Sequence, residues 1–299
     1  MNIIRSLTYK MAQITQENIV TSPTTSVAAH IPTYLQKKNP HPRDDNIVFV
    51  EEGHKYYING EDGYTSVTTW IHSHFEHFDA DKVINNMMAS SKWSQNKYYG
   101  KTREEIKAGW DKSRDEAAQA GTNMHYSIEC YYNNIDTINN HDGPSSKELE
   151  YFMNFVNSEH HKDLVPYRTE WTVYDEEAKI AGSIDMVYAC ANGEDANDTN
   201  NLKIYDWKRS KEIKKTVPFM KYAQTECISH IPDTNFWHYS LQLNIYKAIL
   251  EKNYGKKVSD LYLVCLHPDN KDHLLFKVPN LQDEVLELFK YRKEQFKTN

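Results

Sequence analysis

The chain has 299 residues, and its 42 acidic side chains outnumber its 35 lysines and arginines, so its formal net charge is −7. Aromatic residues make up 12% of the sequence, too large a share for a disordered chain, although the mean hydropathy of −0.77 is polar. Apolar runs are only a few residues long, which excludes a protein that crosses a membrane by helices, a collagen and a coiled coil.

The four cysteines are scattered and form no CxxC pair, so neither a disulfide scaffold nor a zinc ribbon is expected. The absence of a tight cysteine motif also predicts no iron–sulfur cluster. Free thiols are typical of a reducing intracellular compartment, and we expect a cytoplasmic protein. The first 16 residues contain no acid and only Arg5 and Lys10 as bases, which leaves a mitochondrial presequence as a minor alternative.

Residues 1–40 are rich in Ser, Thr, Gln and Pro, and we predict a flexible leader there. A single domain is expected over 41–299, divided into an N-terminal hairpin and helical region (41–120) and a core (121–299). In chain order, a β-hairpin is predicted over 47–60, then short helices after Ser66 and over 79–88. Thr102 and Glu105 have the spacing of a capping box and open a long helix, which Gly121 is expected to interrupt before it resumes.

A helix is predicted over about 145–160, and the pattern then changes to the alternation of β-strands. Three consecutive strands are predicted at 167–175, 178–190 and 202–208, the last two joined as a hairpin by a polar loop. A helix over 236–255 ends at Gly255, and two strands and an amphipathic helix close the chain. This order predicts an α/β fold with a central mixed β-sheet flanked by helices and an N-terminal helical region.

Two of the predicted strands carry charged residues in an otherwise apolar setting. Asp206 and Lys208 are two apart, so they project from one face of their strand, and pairing with the preceding strand brings Asp185 beside them. The acid-x-Lys spacing alone is weak evidence, because it occurs five times in the chain and is usually a solvated ion pair. Two carboxylates on one sheet face favour a bound Mg²⁺ or Mn²⁺ ion.

Four motifs in this order resemble the PD-(D/E)XK nuclease superfamily. GSIDMVY around Asp185 and IYDWKRS around Asp206 are similar to its second and third motifs. GTNMH, ending at His125, and QLNIY, from Gln242 to Tyr246, are similar to signatures of its RecB-like and lambda-exonuclease-like branch. The region 64–99 further resembles nucleases encoded by large DNA viruses, and similarity extends to the mitochondrial genome-maintenance exonuclease. The fold that this resemblance implies is a restriction-endonuclease-like core.

The resemblance implies a role for each matching residue. Asp185, Asp206, His125 and the main-chain carbonyl of Trp207 would bind the metal ion. Lys208 would orient or help to deprotonate the attacking water and stabilise charge on the phosphate. Gln242 and Tyr246 would brace the site and touch the nucleic-acid backbone, although spacing alone favours ordinary helix packing for both.

Five further residues have weaker assignments. Glu129 lies one helical turn after His125 and could hold a second metal ion, and Glu170 matches an acidic position of the superfamily. As candidate phosphate contacts we single out Arg114, Arg209 and Lys211, for each of which solvated surface charge is the plainer interpretation.

The resemblance implies a Mg²⁺-dependent deoxyribonuclease, with Mn²⁺ as a substitute, that cuts DNA ends or single strands and leaves 5′-phosphates. We expect an exonuclease of DNA replication, recombination or repair. A structure-specific endonuclease and a non-catalytic DNA-binding scaffold are the alternatives. The chain contains no Walker A motif, so a helicase or recombination protein is a possible partner. The N-terminal region contains four aromatic residues that could stack bases or pack in the hydrophobic core: Trp70, Trp93, Tyr98 and Tyr99.

Overall fold

The computed structural model describes residues 32–50, 52–135, 146–190 and 201–297. Its helices are α1 (Tyr34–Lys38), α2 (Val67–His72), α3 (Ala80–Met88), α4 (Arg103–Tyr132), α5 (Lys147–Val156), α6 (Asn235–Asn253) and α7 (Gln282–Lys297). Its strands are β1 (Ile47–Val50), β2 (Lys55–Ile58), β3 (Glu61–Ser66), β4 (Leu164–Asp175), β5 (Ile180–Cys190), β6 (Asn201–Lys208), β7 (Lys257–Cys265) and β8 (Leu274–Lys277). Among these helices, none combines the length and the apolar character that a membrane crossing requires.

The eight strands form one mixed sheet, which confirms the predicted α/β class. The main path runs β1-β2-β3-β5-β6-β7-β8, and β4 pairs with β5 away from that path. Strands β4, β5 and β6 are antiparallel neighbours, whereas β6 and β7 run parallel. The loop predicted between β5 and β6 spans 191–200 and lies outside the described residues.

The sheet opens along one edge of β5, and this opening creates the space for a site. The ladder between β5 and β6 covers Met186 to Ala189, while β3 pairs in parallel with Ile180 and Ala181. Since β4 occupies the other edge of β5 along its whole length, β3 and β6 share the remaining edge. Residues 182–185 of β5 therefore lie between two strands that diverge.

Helices cover both faces of the sheet, each through its own hydrophobic core. On one face, α4 and α5 pack through Met124, Ile128 and Phe152 against Tyr205 and Trp207 of β6. The other face is covered by α2, α6 and α7, which bury a larger set of side chains against the sheet. As predicted, alternate residues of β6 face opposite sides, which leaves Asp206 and Lys208 on the side of α6.

Most predicted elements are confirmed, including their ends. Ser66 accepts a hydrogen bond from the Thr69 N–H at 3.1 Å, and Thr102 and Glu105 form the expected capping box. Gly255, with φ of +62°, follows the C-terminal end of α6 in the left-handed conformation expected after a helix.

Three predictions differ from the structure. Gly121 does not interrupt the long helix, because α4 runs continuously from Arg103 to Tyr132. Glycine lowers helix stability by only about 1 kcal/mol, which packing of the flanking turns outweighs. The predicted hairpin is followed by a third strand, β3, through a turn at Asn59 and Gly60, both with positive φ.

The predicted leader also differs at its C-terminal end. Leu35 of α1 is buried, and its N–H donates to Asn133 at 2.9 Å, so this part of 1–40 packs on the domain. Residues 1–31, with the presequence-like start, lie outside the described residues.

Candidate metal and catalytic site

Asp206 and Lys208 form a buried ion pair at the end of β6. Lys208 Nζ lies 2.6 Å from Asp206 Oδ2, and both side chains are less than a tenth exposed. The ammonium also lies 4.4 Å from the centroid of the Tyr239 ring of α6, within range of a cation–π contact. The predicted placement of the two charges on one strand face is therefore observed.

Asp185 lies beside this pair at the point where β5 and β6 separate. The Trp207 N–H donates to Asp185 Oδ2 at 2.9 Å, two residues beyond Tyr205, the last residue of β6 in the ladder with β5. The carboxylate thus takes the place of a main-chain acceptor and fixes the divergence of the two strands. This contact ties Asp185 to the strand that carries Asp206 and Lys208.

Glu170 reaches the same place from β4 through an unusual backbone conformation. Its φ is +43°, a backbone angle that residues other than glycine rarely adopt. This conformation costs about 1 kcal/mol or more. Ser183 Oγ donates to Glu170 Oε2 at 2.8 Å and helps to orient the carboxylate. Strained residues concentrate at functional sites, which supports a functional role for this position.

His125 extends from α4 toward both carboxylates and has a defined tautomer. Its Nε2 lies 2.9 Å from the Trp207 carbonyl oxygen, which can only accept, so Nε2 carries the hydrogen. The lone pair of Nδ1 then points toward Glu170 Oε1 and Asp185 Oδ2, each 3.6 Å away. A ring held by a main-chain carbonyl on one nitrogen and facing carboxylates with the other is the usual arrangement of a histidine metal ligand.

Three side chains together meet the requirements of a cation site. Donor atoms of His125, Glu170 and Asp185 all lie within 4.8 Å of one another. One imidazole nitrogen and two carboxylates suit a divalent ion such as Mn²⁺ or Mg²⁺. The residues present therefore fit a metal ion.

Three predicted metal ligands lie outside this close group. Asp206 is not part of this close group, because its Oδ2 is directed at Lys208. The resemblance implies that the Trp207 carbonyl binds the metal ion, but this oxygen accepts a hydrogen bond from His125 Nε2 instead. The structure thus groups Glu170, rather than Asp206, with His125 and Asp185. Glu129, predicted for a second ion, also lies outside the close group.

Burial and charge shift the pKa values of the central residues in opposite ways. Burial, reinforced by the negative charge of Asp206, raises the pKa of Asp185 to about 7. Burial alone would lower the pKa of Lys208, but the negative charges of Asp206 and Asp185 outweigh it and raise that pKa. Lys208 therefore stays an ammonium ion, which suits orientation and charge stabilisation better than proton abstraction.

Gln242 and Tyr246 of α6 pack beside the opening in β5. The Gln242 amide lies 3.4 Å from Tyr246 Oη and 3.5 Å from Thr68 Oγ1. A Cβ atom on Gly182 would lie 2.6 Å from Tyr246 Oη, so the tyrosine hydroxyl occupies space that only glycine leaves open. Tyr246 is 3% exposed, and this burial fits bracing and argues against direct contact with a nucleic-acid backbone.

The predicted phosphate contacts are dispersed and already paired. The Arg209 guanidinium donates to the buried Glu148 at 2.7 Å. Lys211, an exposed residue, lies 2.7 Å from Asp269, and Arg114 pairs with two carboxylates on α4. Lys211 and Arg114 remain accessible at the surface, whereas Arg209 is largely covered.

Two residues of the site were not singled out from the sequence. Ser183 orients Glu170, and Tyr239 faces Lys208. Tyr239 lies three residues before Gln242, so helical spacing placed both on one face of α6 and was a usable signal. Ser183 is a small polar residue in a strand and carried no such signal.

Comparison with known proteins adds little to this geometry. No protein-family model matches the chain, and no curated protein matches its sequence. Among solved structures, the chain is similar to a "putative exonuclease" from Eubacterium rectale, with 11% identity, 79% of each chain covered and a TM-score of 0.30. A superposition this weak carries no argument about function.

Proposed function

We propose that this protein is a metal-dependent nuclease that hydrolyses phosphodiester bonds in DNA. The observation that carries the proposal is the buried group of His125, Glu170 and Asp185, with the Asp206–Lys208 ion pair beside it. Three carboxylates facing one ammonium leave negative charge in a buried place, which a divalent cation would compensate.

The cation would be held by His125, Glu170 and Asp185. Asp206 lies beside this group, because Asp185 accepts a hydrogen bond from Trp207, the next residue of β6. A bound divalent ion supplies charge stabilisation to a phosphate and lowers the pKa of a water molecule. The protein provides the orientation: Ser183 fixes Glu170, and the Trp207 carbonyl fixes the His125 ring.

Lys208 acts as a fixed positive charge beside the reacting phosphate. Asp206 and the Tyr239 ring hold its ammonium group in place, so little reorganisation is needed when negative charge develops on the phosphate oxygens. Its raised pKa keeps the charge present throughout the neutral range.

The finer assignment is an exonuclease that acts from DNA ends or on single strands and leaves 5′-phosphates, in replication, recombination or repair. It is supported by the resemblance of four motifs, in order over 121–246, to one branch of the PD-(D/E)XK superfamily. Mg²⁺ is the expected ion, with Mn²⁺ as a substitute. The protein's cysteines are free thiols, which suit a reducing compartment, and the expected location is the cytoplasm.

The test is a cleavage time course on linear DNA labelled at the 5′ or the 3′ end, with Mg²⁺ or with a chelator. We expect Mg²⁺-dependent cutting by the parent and none by Lys208→Ala, with DNA binding retained. A matched control is Lys271→Ala, which removes the lysine from another acid-x-Lys copy, in an exposed bend. This control should cut like the parent.

Each alternative has its own outcome. Cutting of closed circular single strands would identify an endonuclease, since an exonuclease needs an end. Binding without cutting by the parent in either Mg²⁺ or Mn²⁺ would overturn the enzyme assignment and support a scaffold. Thermal unfolding of each variant shows whether loss of cutting reflects loss of the fold.

A further inference from the structure

Five aromatic side chains lie along one surface formed by the loop before α3, the segment between α3 and α4, and the first turns of α4. We call them the aromatic strip: Phe78, Trp93, Tyr98, Tyr99 and Trp110. Phe78 is 74% exposed and Tyr99 is 60% exposed, and the other three are partly exposed. Exposed rings in this number are uncommon on a protein surface and often mark an interaction site. Trp70, in contrast, is buried in the core.

The rings of the strip support one another. The Trp110 ring lies 6.1 Å from Phe78 and 5.9 Å from Tyr98, centroid to centroid, and its indole N–H donates to Tyr98 Oη at 2.8 Å. A second pair, Trp93 and Tyr99, lies 6.0 Å apart. Trp110 is anchored on the long helix α4, and the Phe78 and Tyr98 rings lie next to it.

The segment that carries most of the strip is strongly basic. Residues 82–103 contain four lysines and one arginine and no acid, in a chain whose net charge is −7. Lys97 lies 4.8 Å and Lys101 5.9 Å from the centroid of the Tyr98 ring. Within the described part of the chain, neither lysine forms an ion pair with a carboxylate. The strip thus offers aromatic faces and unneutralised positive charge together.

A cleft lies between Phe78 of the strip and helix α6. Phe78 lines a cleft of about 510 Å³ together with Phe75, His238 and Lys221. The His238 ring lies 4.1 Å from that of Phe75, and the next residue on α6 is Tyr239, which contacts Lys208. The cleft and the candidate site thus share helix α6, and Glu76, Asp79 and Asp233 also line the cleft.

We infer that the aromatic strip binds single-stranded DNA by stacking its bases, next to the site that cuts it. The inference rests on the proposed function, because it names the form of DNA that reaches the same site. Stacking on aromatic rings needs bases that are free of their neighbours, which a duplex does not offer, while lysines hold the phosphates. Lys82 and Arg103 are paired with Glu76 and Asp81, which leaves Lys92, Lys97 and Lys101 to attract phosphates. A protein partner would have less need of these three cations beside the rings.

The experiment measures fluorescence anisotropy of a labelled strand of 15 thymidines, in a chelator so that nothing is cut. We expect Phe78→Ala and Tyr99→Ala each to weaken binding by roughly tenfold, and the double variant by more. The matched control is Tyr34→Ala, because Tyr34 is 46% exposed and has Lys38 6.0 Å from its ring but lies outside the strip. This variant should bind like the parent.

A second strand separates stacking from charge. On an abasic strand with the same number of phosphates, Phe78→Ala and Tyr99→Ala should bind no worse than the parent. Replacing Lys92, Lys97 and Lys101 by Gln should weaken binding to both strands and lower the salt dependence. Both target rings are exposed, so the variants should keep the parent's melting temperature.

Three results would overturn the inference: equal thymidine binding by the parent and the double variant, an equal loss on the abasic strand, or no binding by the parent. None depends on cleavage, so the proposed function is judged separately. If the parent cuts DNA but the double variant binds the thymidine strand normally, the nuclease assignment stands and the strip is not its single-strand site. If the strip binds as expected and nothing is cut, binding stands without catalysis.

Discussion

Two clusters of charge lie near the start of β5, and they differ in how far their charges balance. At the turn between β4 and β5, the carboxylates of Asp175 and Glu177 face the ammonium groups of Lys252 and Lys293. In the candidate site, the carboxylates of Glu170, Asp185 and Asp206 lie near one ammonium group, that of Lys208, and near the imidazole of His125. The first cluster has one ammonium group for each carboxylate, whereas in the second three carboxylates share one ammonium group.

The pKa shifts follow this difference. Hydrogen bonds from Lys252 and Lys293 lower the pKa of Glu177 to about 2, whereas burial and Asp206 raise that of Asp185 to about 7. Asp185 is buried near other acids, which disfavours its ionised form, whereas the exposed Glu177 is paired with two ammonium groups. The comparison therefore supports the proposal that the candidate site, and not the turn between β4 and β5, binds a cation.

The largest expected effect comes from removing one acid of the unbalanced cluster. Asp185→Asn keeps the shape of the side chain and an oxygen that can accept from the Trp207 N–H, but removes the negative charge that we propose holds the metal ion. We expect cleavage to fall by about 10³-fold, measured as the initial rate on labelled DNA in Mg²⁺. Glu177→Gln, the matched change in the balanced cluster, should cut at the parental rate. Equal losses in the two variants would contradict the distinction.

Binding of the cation itself gives the next effect. At a Mn²⁺ concentration about 100 times its Kd, binding to the folded state adds about 2.7 kcal/mol, or roughly 5 °C in melting temperature. Asp185→Asn should lose this increase and Glu177→Gln should keep it, as measured by differential scanning calorimetry with and without Mn²⁺. An increase that survives in Asp185→Asn would place the ion elsewhere.

A smaller effect concerns the packing that keeps β5 open beside the site. In Gly182→Ala the new methyl group would lie 2.6 Å from Tyr246 Oη and 2.9 Å from a ring carbon, inside a packed core. We expect a loss of about 2 kcal/mol in the free energy of unfolding, measured by urea titration. Adding Tyr246→Phe removes the closest atom and should restore part of the loss. A tolerated Gly182→Ala would show that the tyrosine moves freely.

The smallest expected effect concerns His74, a buried histidine that, unlike His125, has no carboxylate beside it among the described residues. His74 is buried with Thr225, Trp70 and Tyr291 around it, and burial, with a minor contribution from Arg292, lowers its pKa from 6.5 to about 4. Between these values the unfolded chain binds more protons, so stability falls as the pH drops from 6.5 to 4.

The expected loss of stability is on the order of 1 kcal/mol. His74→Gln should have a flatter pH dependence of the free energy of unfolding over this interval. His77→Gln, at an exposed position, should retain the parental slope. Identical slopes in all three proteins would assign the acid sensitivity to other groups.

Much of the fold could be predicted from the sequence because its signals are local. Capping residues such as Ser66 and Thr102 satisfy nearby N–H groups, and alternation in β6 separates Asp206 from Trp207 whatever the rest of the chain does. Gly121 misled the prediction because its effect is small and tertiary packing of α4 decides the outcome.

The composition of the candidate site was less accessible to sequence reasoning. That Glu170 joins His125 depends on a left-handed residue inside a strand, which no local pattern of glutamate predicts. That Asp206 turns to Lys208 depends on where β5 and β6 separate. Both are set by contacts between residues distant in the chain, so the motifs identified the participants but not their pairing.

The backbone conformation of Glu170 sets the stability of this protein against its proposed function. A glycine would adopt φ of +43° at no steric cost, so Glu170→Gly would relieve the strand and cost the site a carboxylate. Selection for thermal stability alone would favour Glu170→Gly. Here β4 keeps a residue that lowers its local stability. Stabilising the protein at this position would therefore remove a carboxylate of the candidate site.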